Sequence, residues 1–211
     1  MLFSEFDNRD CRLQAHLILS RAILLIALLL SSAGVRSDTL GVEVQGLKEP
    51  LVANIKAHIG SEWVSSVSLS SQRRRDRFRL QAENRAAKAL RPFGYYFPKI
   101  KSTLLRAEQQ SWILKLSVTL GEPVKVRQLL LDVKGEGKDS NTIVDWKTNW
   151  PLVPGVTLNH VTWEQQKESV LTSAGERGYL SAIFEKSEIR LDLEQNVADL
   201  VLVLHTGPRA V

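Results

Sequence analysis

Three histidines that follow the N-terminal apolar segment are the side chains best suited to acid–base or metal chemistry. They are His58, His160 and His205, and they lie far apart along the chain. A zinc site needs three or four ligands, and none of these histidines has a partner at ligand spacing. We therefore interpret them as surface or core residues, and the sequence predicts no metal site.

Other catalytic motifs are incomplete or missing. The stretch GEGKDS, residues 135–140, resembles part of a phosphate-binding loop, but it lacks the remaining glycines and the following Lys-Ser/Thr pair. No Gly-x-Ser-x-Gly elbow supports a serine nucleophile. The carboxylates are scattered on polar faces, and no pair of them indicates glycosidase chemistry. The sequence therefore predicts no catalytic residues, no cofactor and no enzyme.

Positive charge is concentrated in QRRRDRFRLQAENR, residues 72–85, which has six arginines and two acids. Residues 38–122 carry a net charge of +6 and residues 123–211 a net charge of −2. Such a run is often only a solvated helix start. An anionic partner, such as lipid head groups or an acidic stretch of another envelope protein, is the alternative, and arginines opposing a helix dipole favour it. The candidate basic patch is Arg73, Arg74, Arg75, Arg77 and Arg79.

An export signal is predicted over residues 1–37. Arg12 and Arg21 precede the apolar run 22–30, and the small residues of SSAGVRS follow it. This run of nine residues is shorter than the about twenty that span a bilayer, although an uncleaved anchor is an alternative. Cys11 is the only cysteine, so we expect the exported chain to contain no disulfide, cysteine ligand or thiol nucleophile. Export also argues against a nucleic-acid partner.

The chain contains an internal repeat, in which three landmarks recur at spacings of 84 to 89 residues. LGVEVQG is matched by LLLDVKG, the pair Gly94-Tyr95 by Gly178-Tyr179, and SVTLGEPVKV by LVLHTGPRAV. Repetition of this kind indicates that each copy is one supersecondary unit.

Both copies predict the same order of elements. Alternating apolar residues from Leu40 predict a strand, and an apolar stripe after Pro50 predicts a helix. A second stripe predicts a longer helix that Gly94 ends. The remaining expected elements are strands over 96–105 and 112–120, a strand that runs to residue 133, helices near 141–150 and 162–174, and strands over 181–193 and 197–205.

Two amphipathic helices and three strands satisfy one another only as two layers. The sequence thus predicts an α+β fold of two tandem βααββ modules, each a three-stranded sheet covered on one face by two helices. The predicted boundaries are 1–37 for the export signal, 38–122 for the first module and 123–211 for the second.

The element order, the helix-Gly-Tyr-strand turn and the Gly-Pro junctions after each last strand resemble tandem POTRA domains. These are the polypeptide-transport-associated modules of outer-membrane assembly proteins. RFRLQAENRAAKALRPFGYYFPKI and GVTLNHVTWEQQKESVLTSAGERGYL are similar to the N-terminal end of TamA-like outer-membrane subunits of the translocation and assembly module. The resemblance covers residues 38–211.

The resemblance implies a non-enzymatic periplasmic scaffold that binds unfolded outer-membrane or autotransporter polypeptides. It implies a TamB-like inner-membrane protein as the partner of the first module. Contact with the outer membrane is expected through a barrel that is absent from this chain. A POTRA pair of another envelope system, such as two-partner secretion, is the alternative, and an anionic-ligand or nucleic-acid-binding module is a further one.

In POTRA domains the second strand typically lies at an exposed sheet edge, and the resemblance implies the same for residues 96–105 and 181–193. Unpaired backbone groups at such an edge accept an extended chain as an added strand. Pro98 and the nearby lysines are also ordinary protection against aggregation, so we favour the edge of the second module. The candidate edge residues are Lys99, Lys101, Thr103, Ile189, Leu191 and Leu193.

Overall fold

A computed structural model of the protein describes residues 40–65, 68–107 and 111–210. The predicted export signal with Cys11, and the last residue, Val211, lie outside these ranges. No helix within them is long and apolar enough to cross a membrane.

The helices and strands follow the predicted order. The first half contains β1 (Leu40–Gln45), α1 (Leu51–Ile59), α2 (Ser61–Ser65), α3 (Gln72–Leu90), β2 (Lys99–Arg106) and β3 (Trp112–Thr119). The second half contains β4 (Lys125–Lys134), α4 (Asn141–Thr148), α5 (His160–Glu176), β5 (Ile183–Asp192) and β6 (Val197–His205). Short 3₁₀ turns cover Arg91–Phe93 and Glu136–Asp139.

Each sheet has its last strand in the middle. The first sheet has the order β1-β3-β2 and the second the order β4-β6-β5. In both, the first strand is parallel to the middle strand and the second is antiparallel to it. This confirms the predicted α+β fold of two βααββ units, to which the first half adds the short helix α2. The boundaries after residues 37 and 122 remain predictions.

The helices of the first half cover one face of its sheet. Helix α3 is capped by Ser71, whose hydroxyl accepts the backbone N–H of Arg74 at 3.4 Å. Its apolar residues recur every three or four positions, so they form a single buried stripe. The buried core residues of this half are Ile55, Ile59, Leu69, Phe78, Ala82, Ala86, Ala89, Leu90, Leu114, Leu116 and Val118.

Three tryptophans pack together in the core of the second half. Trp150 lies edge-to-face between Trp146 and Trp163, with ring centroids 5.3 and 5.6 Å away. Helix α4 ends at Thr148, two residues before its predicted end, because Pro151 follows and the residue before a proline is disfavoured in the helical conformation.

Candidate functional site

The predicted edge strands do lie at sheet edges. Among the described residues, β2 pairs with β3 alone and β5 pairs with β6 alone. Strand β2 begins at Lys99, three residues later than predicted, because Tyr95 and Tyr96 pack into the cores of different halves. Lys99, Lys101 and Thr103 alternate with the residues opposite the buried side chains of β3, so they lie on the sheet face away from the helices.

Two side chains of α3 bind the outer backbone of β2. Arg79 donates from Nε and Nη2 to the carbonyl oxygen of Ser102 at 3.1 and 2.8 Å. Glu83 Oε1 accepts the backbone N–H of Ser102 at 2.9 Å and its hydroxyl at 2.6 Å. Ser102 is only 3% exposed, so water does not compete for these bonds. We call Arg79, Glu83 and Ser102 the edge clamp.

The edge clamp closes the middle of β2 to an incoming strand. Alternate residues of an edge strand direct their backbone groups outward, and the outward groups of Ser102 are already bonded. A chain added here would have to displace two charged side chains. Polypeptide binding at Lys99, Lys101 and Thr103 therefore stays a prediction. The backbone groups of Ser102, in the middle of this edge, are not available for it.

The candidate residues of β5 divide between the strand and the turn that follows it. Ile189 and Leu191 lie opposite Leu200 and Ala198, which are fully buried, so their side chains are on the helix-covered face. The prediction that the strand reaches Leu193 is wrong. β5 ends at Asp192, because the carboxylate Oδ1 of Asp192 accepts the backbone N–H of Gln195 at 3.1 Å, and residues 193–196 form a turn.

Strand β5 has ten residues, and its outer backbone is unpaired on both sides of a register shift between Phe184 and Lys186. Within the described ranges, no side chain and no backbone group outside the sheet forms a hydrogen bond with the backbone of β5. Lys186, Glu188 and Arg190 form a charged row on the outer sheet face, with ion-pair distances of 3.7 and 2.7 Å. These charges flank the edge without bonding to its N–H and C=O groups.

The two other edge strands, β4 and β1, have shorter stretches of unpaired backbone. Strand β4 is covered at its start, where Val126 donates to the carbonyl of Val156 at 2.9 Å and accepts from Gly155 at 2.8 Å. Strand β1 has only six residues. Strand β5 is therefore the longest strand edge with unpaired backbone in the part of the chain that the structure describes.

The predicted basic patch is divided by the packing of α3. Arg75 donates from Nη1 to the carbonyl oxygen of Leu69 at 3.0 Å, and Arg79 belongs to the edge clamp. Arg73, Arg74 and Arg77 are exposed. The sequence showed the charge but not which arginines face the sheet, because that depends on where α3 crosses β2.

A joint between the two halves is built from the turn after α3. Gly94 adopts a left-handed φ of 87°, and its carbonyl accepts the backbone N–H of Val124 at 2.9 Å. Tyr96 packs against the second core, and its hydroxyl lies 2.7 Å from Nε2 of His160. Residues 38–211 accordingly cluster as one compact unit. Sequence reasoning missed this contact, although the repeated Gly-Tyr pair pointed to the turn.

Burial changes the proton affinities of both groups in this hydrogen bond. It lowers the pKa of His160 below its ordinary value of 6.5, an effect that the Glu164 carboxylate partly offsets. It also raises the pKa of the Tyr96 hydroxyl, against an opposing effect of Arg91. At neutral pH the imidazole is therefore neutral, and its tautomer decides whether Nε2 or the Tyr96 hydroxyl donates the hydrogen bond.

This joint predicts a pH dependence of stability. Because the folded pKa of His160 lies below its unfolded value, its contribution is fully present above pH 6.5 and falls as the pH drops through the folded pKa. The free energy of unfolding, measured with urea, should fall between pH 7.5 and pH 5. We expect His160→Gln to remove the part of this fall that protonation of His160 causes. Tyr96→Phe should cost about 1 kcal/mol at pH 7.5. An identical pH profile for the wild type and His160→Gln would contradict this assignment.

The other two histidines make separate local contacts. His58 Nδ1 lies 3.1 Å from the carbonyl oxygen of Asn54, and His205 Nδ1 accepts the backbone N–H of Gly207 at 3.1 Å. Among the described residues, no group of three or more histidine, cysteine, aspartate or glutamate side chains is placed to hold a metal ion.

Residues 41–120 match the family model described as POTRA domain TamA domain 1. The chain is also similar to solved structures at low identity. It matches POTRA3-5 of BamA from Haemophilus influenzae with 14% identity and a TM-score of 0.41, covering 82% of this chain and 67% of that one. It matches POTRA1-2 of Omp85 from Anabaena with 11% identity and a TM-score of 0.33, covering 82% and 96%. For CdiB from Escherichia coli the identity is 15%, the TM-score 0.30 and the coverage 82% and 28%.

Proposed function

We propose that this chain, whose residues 41–120 match the family model of POTRA domain TamA domain 1, binds extended polypeptide segments by strand addition at β5. The observation that carries this proposal is that the outer backbone of β5 is unpaired, whereas side chains of α3 bond the outer backbone of β2.

Strand addition suits a binder of diverse polypeptides. The bonds run between main chains, so they form with nearly any extended sequence, while alternate side chains adjust the specificity. The ten residues of β5 offer an edge longer than an average strand of about five or six residues. The charged row of Lys186, Glu188 and Arg190 also protects this edge from self-association while no partner is present.

The edge clamp supports a division of labour between the sheets. Both halves have the same topology, yet among the residues that the structure describes only β2 has its outward backbone bonded by a helix of its own half. An extended partner is thus excluded from the middle of β2 in the first half and binds to β5 in the second half.

The family of the first module supports a wider context for this activity. The chain is then a non-enzymatic periplasmic scaffold of an outer-membrane assembly or secretion factor, whose bound polypeptides are unfolded outer-membrane proteins or autotransporters. A TamA-type role, with a TamB-like inner-membrane partner at the first module, is the finer form of this proposal. The exposed side chains of Arg73, Arg74 and Arg77 favour an acidic surface on that partner.

Two neighbouring proline substitutions test strand addition. Of Arg190 and Leu191, one directs its N–H toward β6 and the other outward, since the pattern alternates along an antiparallel edge. Proline at the inward position should destabilise the sheet, whereas proline at the outward position should leave the fold intact. We expect the folded variant to bind a synthetic strand peptide of alternating valine and threonine at least about tenfold more weakly in calorimetry.

Arg190→Ala and Leu191→Ala are the matched controls, because they remove the same side chains and keep the backbone N–H. Both should bind the peptide within about twofold of the wild type, since strand addition uses the main chain. A folded proline variant with unchanged affinity would show that the polypeptide does not add to β5.

A further inference from the structure

A cavity of about 250 Å³ lies at the end of the first half where the chain enters α3. The β2–β3 end of the sheet forms its other wall. This volume is below that of typical small-molecule sites, which begin at about 300 Å³, and it suits one large side chain with a neighbouring small group. Its lining residues are Ser68, Leu69, Ser70, Arg75, Arg106 and Trp112.

The walls combine an aromatic ring with two guanidinium groups. The guanidinium carbons of Arg75 and Arg106 lie 5.6 and 5.8 Å from the ring centroid of Trp112. Arg75 is held in place by Leu69 and by Gln72, whose Oε1 accepts from Nη2 at 2.9 Å. Within the described ranges, Arg106 makes no ion pair and no hydrogen bond through its side chain, so its guanidinium is available to an anion.

The repeat shows what fills the corresponding place in the second half. Ser71 caps α3 and Asn159 caps α5, so the residues before each cap correspond between the halves. Before Asn159, the space is filled by the turn that begins at Gly94, and Tyr96 packs there with its hydroxyl on His160. In the second half, the space before the helix cap is thus filled by Tyr96. In the first half, the corresponding space is the cavity.

We propose that this cavity binds a segment of another polypeptide that carries an aromatic side chain next to a carboxylate. The aromatic ring takes the place that corresponds to that of Tyr96 in the second half, and in this cavity it stacks on a guanidinium plane of the wall. The carboxylate pairs with Arg106 through two parallel hydrogen bonds. This site is separate from the β5 edge and does not depend on strand addition there.

Charge supports an acidic occupant. Residues 38–122 carry a net charge of +6, and Asp76, which follows Arg75 on α3, is already engaged. Asp76 Oδ1 accepts from Gln72 Nε2 at 3.0 Å and lies 3.7 Å from Nη1 of Arg79. Within the described ranges no carboxylate pairs with Arg106, so a carboxylate from another polypeptide would complement this guanidinium.

The test uses the full chain and an acetylated, amidated peptide of sequence Gly-Tyr-Gly-Asp-Gly. Binding is followed by the indole N–H signal of Trp112 in an NMR titration at low salt. We expect Arg106→Gln to raise the Kd about tenfold or more and Arg106→Lys to raise it less, because a lysine keeps the charge without the paired geometry. The matched control Arg73→Gln removes an equal charge outside the cavity and should change the Kd less than about twofold.

Two further peptides separate the contribution of the carboxylate from that of the aromatic ring. Replacing the aspartate with asparagine should abolish the effect of Arg106→Gln, and replacing the tyrosine with alanine should remove the Trp112 shift. The proposal is overturned if the parent peptide does not shift Trp112, if Arg106→Gln binds it as the wild type does, or if the alanine peptide binds equally well.

Discussion

Gly94→Ala is expected to lower the free energy of unfolding by about 3 kcal/mol or more, through left-handed strain and a backbone clash. Gly94 has φ of 87°, a conformation that L side chains rarely adopt. A Cβ atom at this position would also lie 2.5 Å from the carbonyl oxygen of Leu158 and 3.1 Å from Cγ2 of Thr157. Because that oxygen belongs to the backbone of the other half, relief requires the joint to open. Urea unfolding followed by tryptophan fluorescence measures the loss.

Two other glycines separate the effect of left-handed strain from the effect of the backbone clash. Gly155 has φ of 91° and no atom within 4 Å of its hypothetical Cβ, so Gly155→Ala reports the left-handed conformation alone, about 1–2 kcal/mol. Gly178, the counterpart of Gly94 in the repeat, would place its Cβ 3.3 Å from the carbonyl oxygen of Ala210 and should give an intermediate loss. If Gly94→Ala cost no more than Gly155→Ala, the close approach of the two halves at Leu158 would be refuted.

Glu83→Ala is expected to cost about 2 kcal/mol of stability and to open the β2 edge. The substitution leaves the buried N–H and hydroxyl of Ser102 without their acceptor, and Arg79 is then the one side chain of the edge clamp still bonded to Ser102. Glu83→Gln keeps an acceptor oxygen and should lose less. The measurements are urea unfolding and the exchange rate of the Ser102 amide, which should rise in Glu83→Ala.

Glu168→Ala is the matched control for this prediction, because Glu168 is an exposed carboxylate on α5. It should change stability by no more than about 0.5 kcal/mol. Equal stability of Glu83→Ala and Glu168→Ala, with an unchanged Ser102 amide, would show that the edge clamp does not close β2.

The repeat made most of the fold predictable. Gly94 and Gly178 end helices at matching positions, and the alternating residues of each copy place three strands around them. These signals are local, since a left-handed turn and a period-two pattern depend on neighbouring residues. The same local pattern misled at Leu193, because apolar alternation continues after the turn at Asp192 has ended the strand.

The candidate sites depended on contacts between distant residues. Arg79 and Glu83 are one helical turn apart, which is compatible with many roles, and only the crossing of α3 over β2 brings both to Ser102. Tyr95 and Tyr96 are adjacent and chemically alike, yet they enter different cores. Neither outcome follows from residue type or spacing, because each is set by the packing of whole elements.

Amide hydrogen exchange of the full chain, with and without the alternating valine–threonine peptide, tests strand addition most directly. With peptide, every second amide of β5 should become protected, while the Ser102 amide of β2 should be protected already in its absence. New protection in β2, or binding of the peptide without any added protection in β5, would contradict the assignment of β5 as the receptive edge.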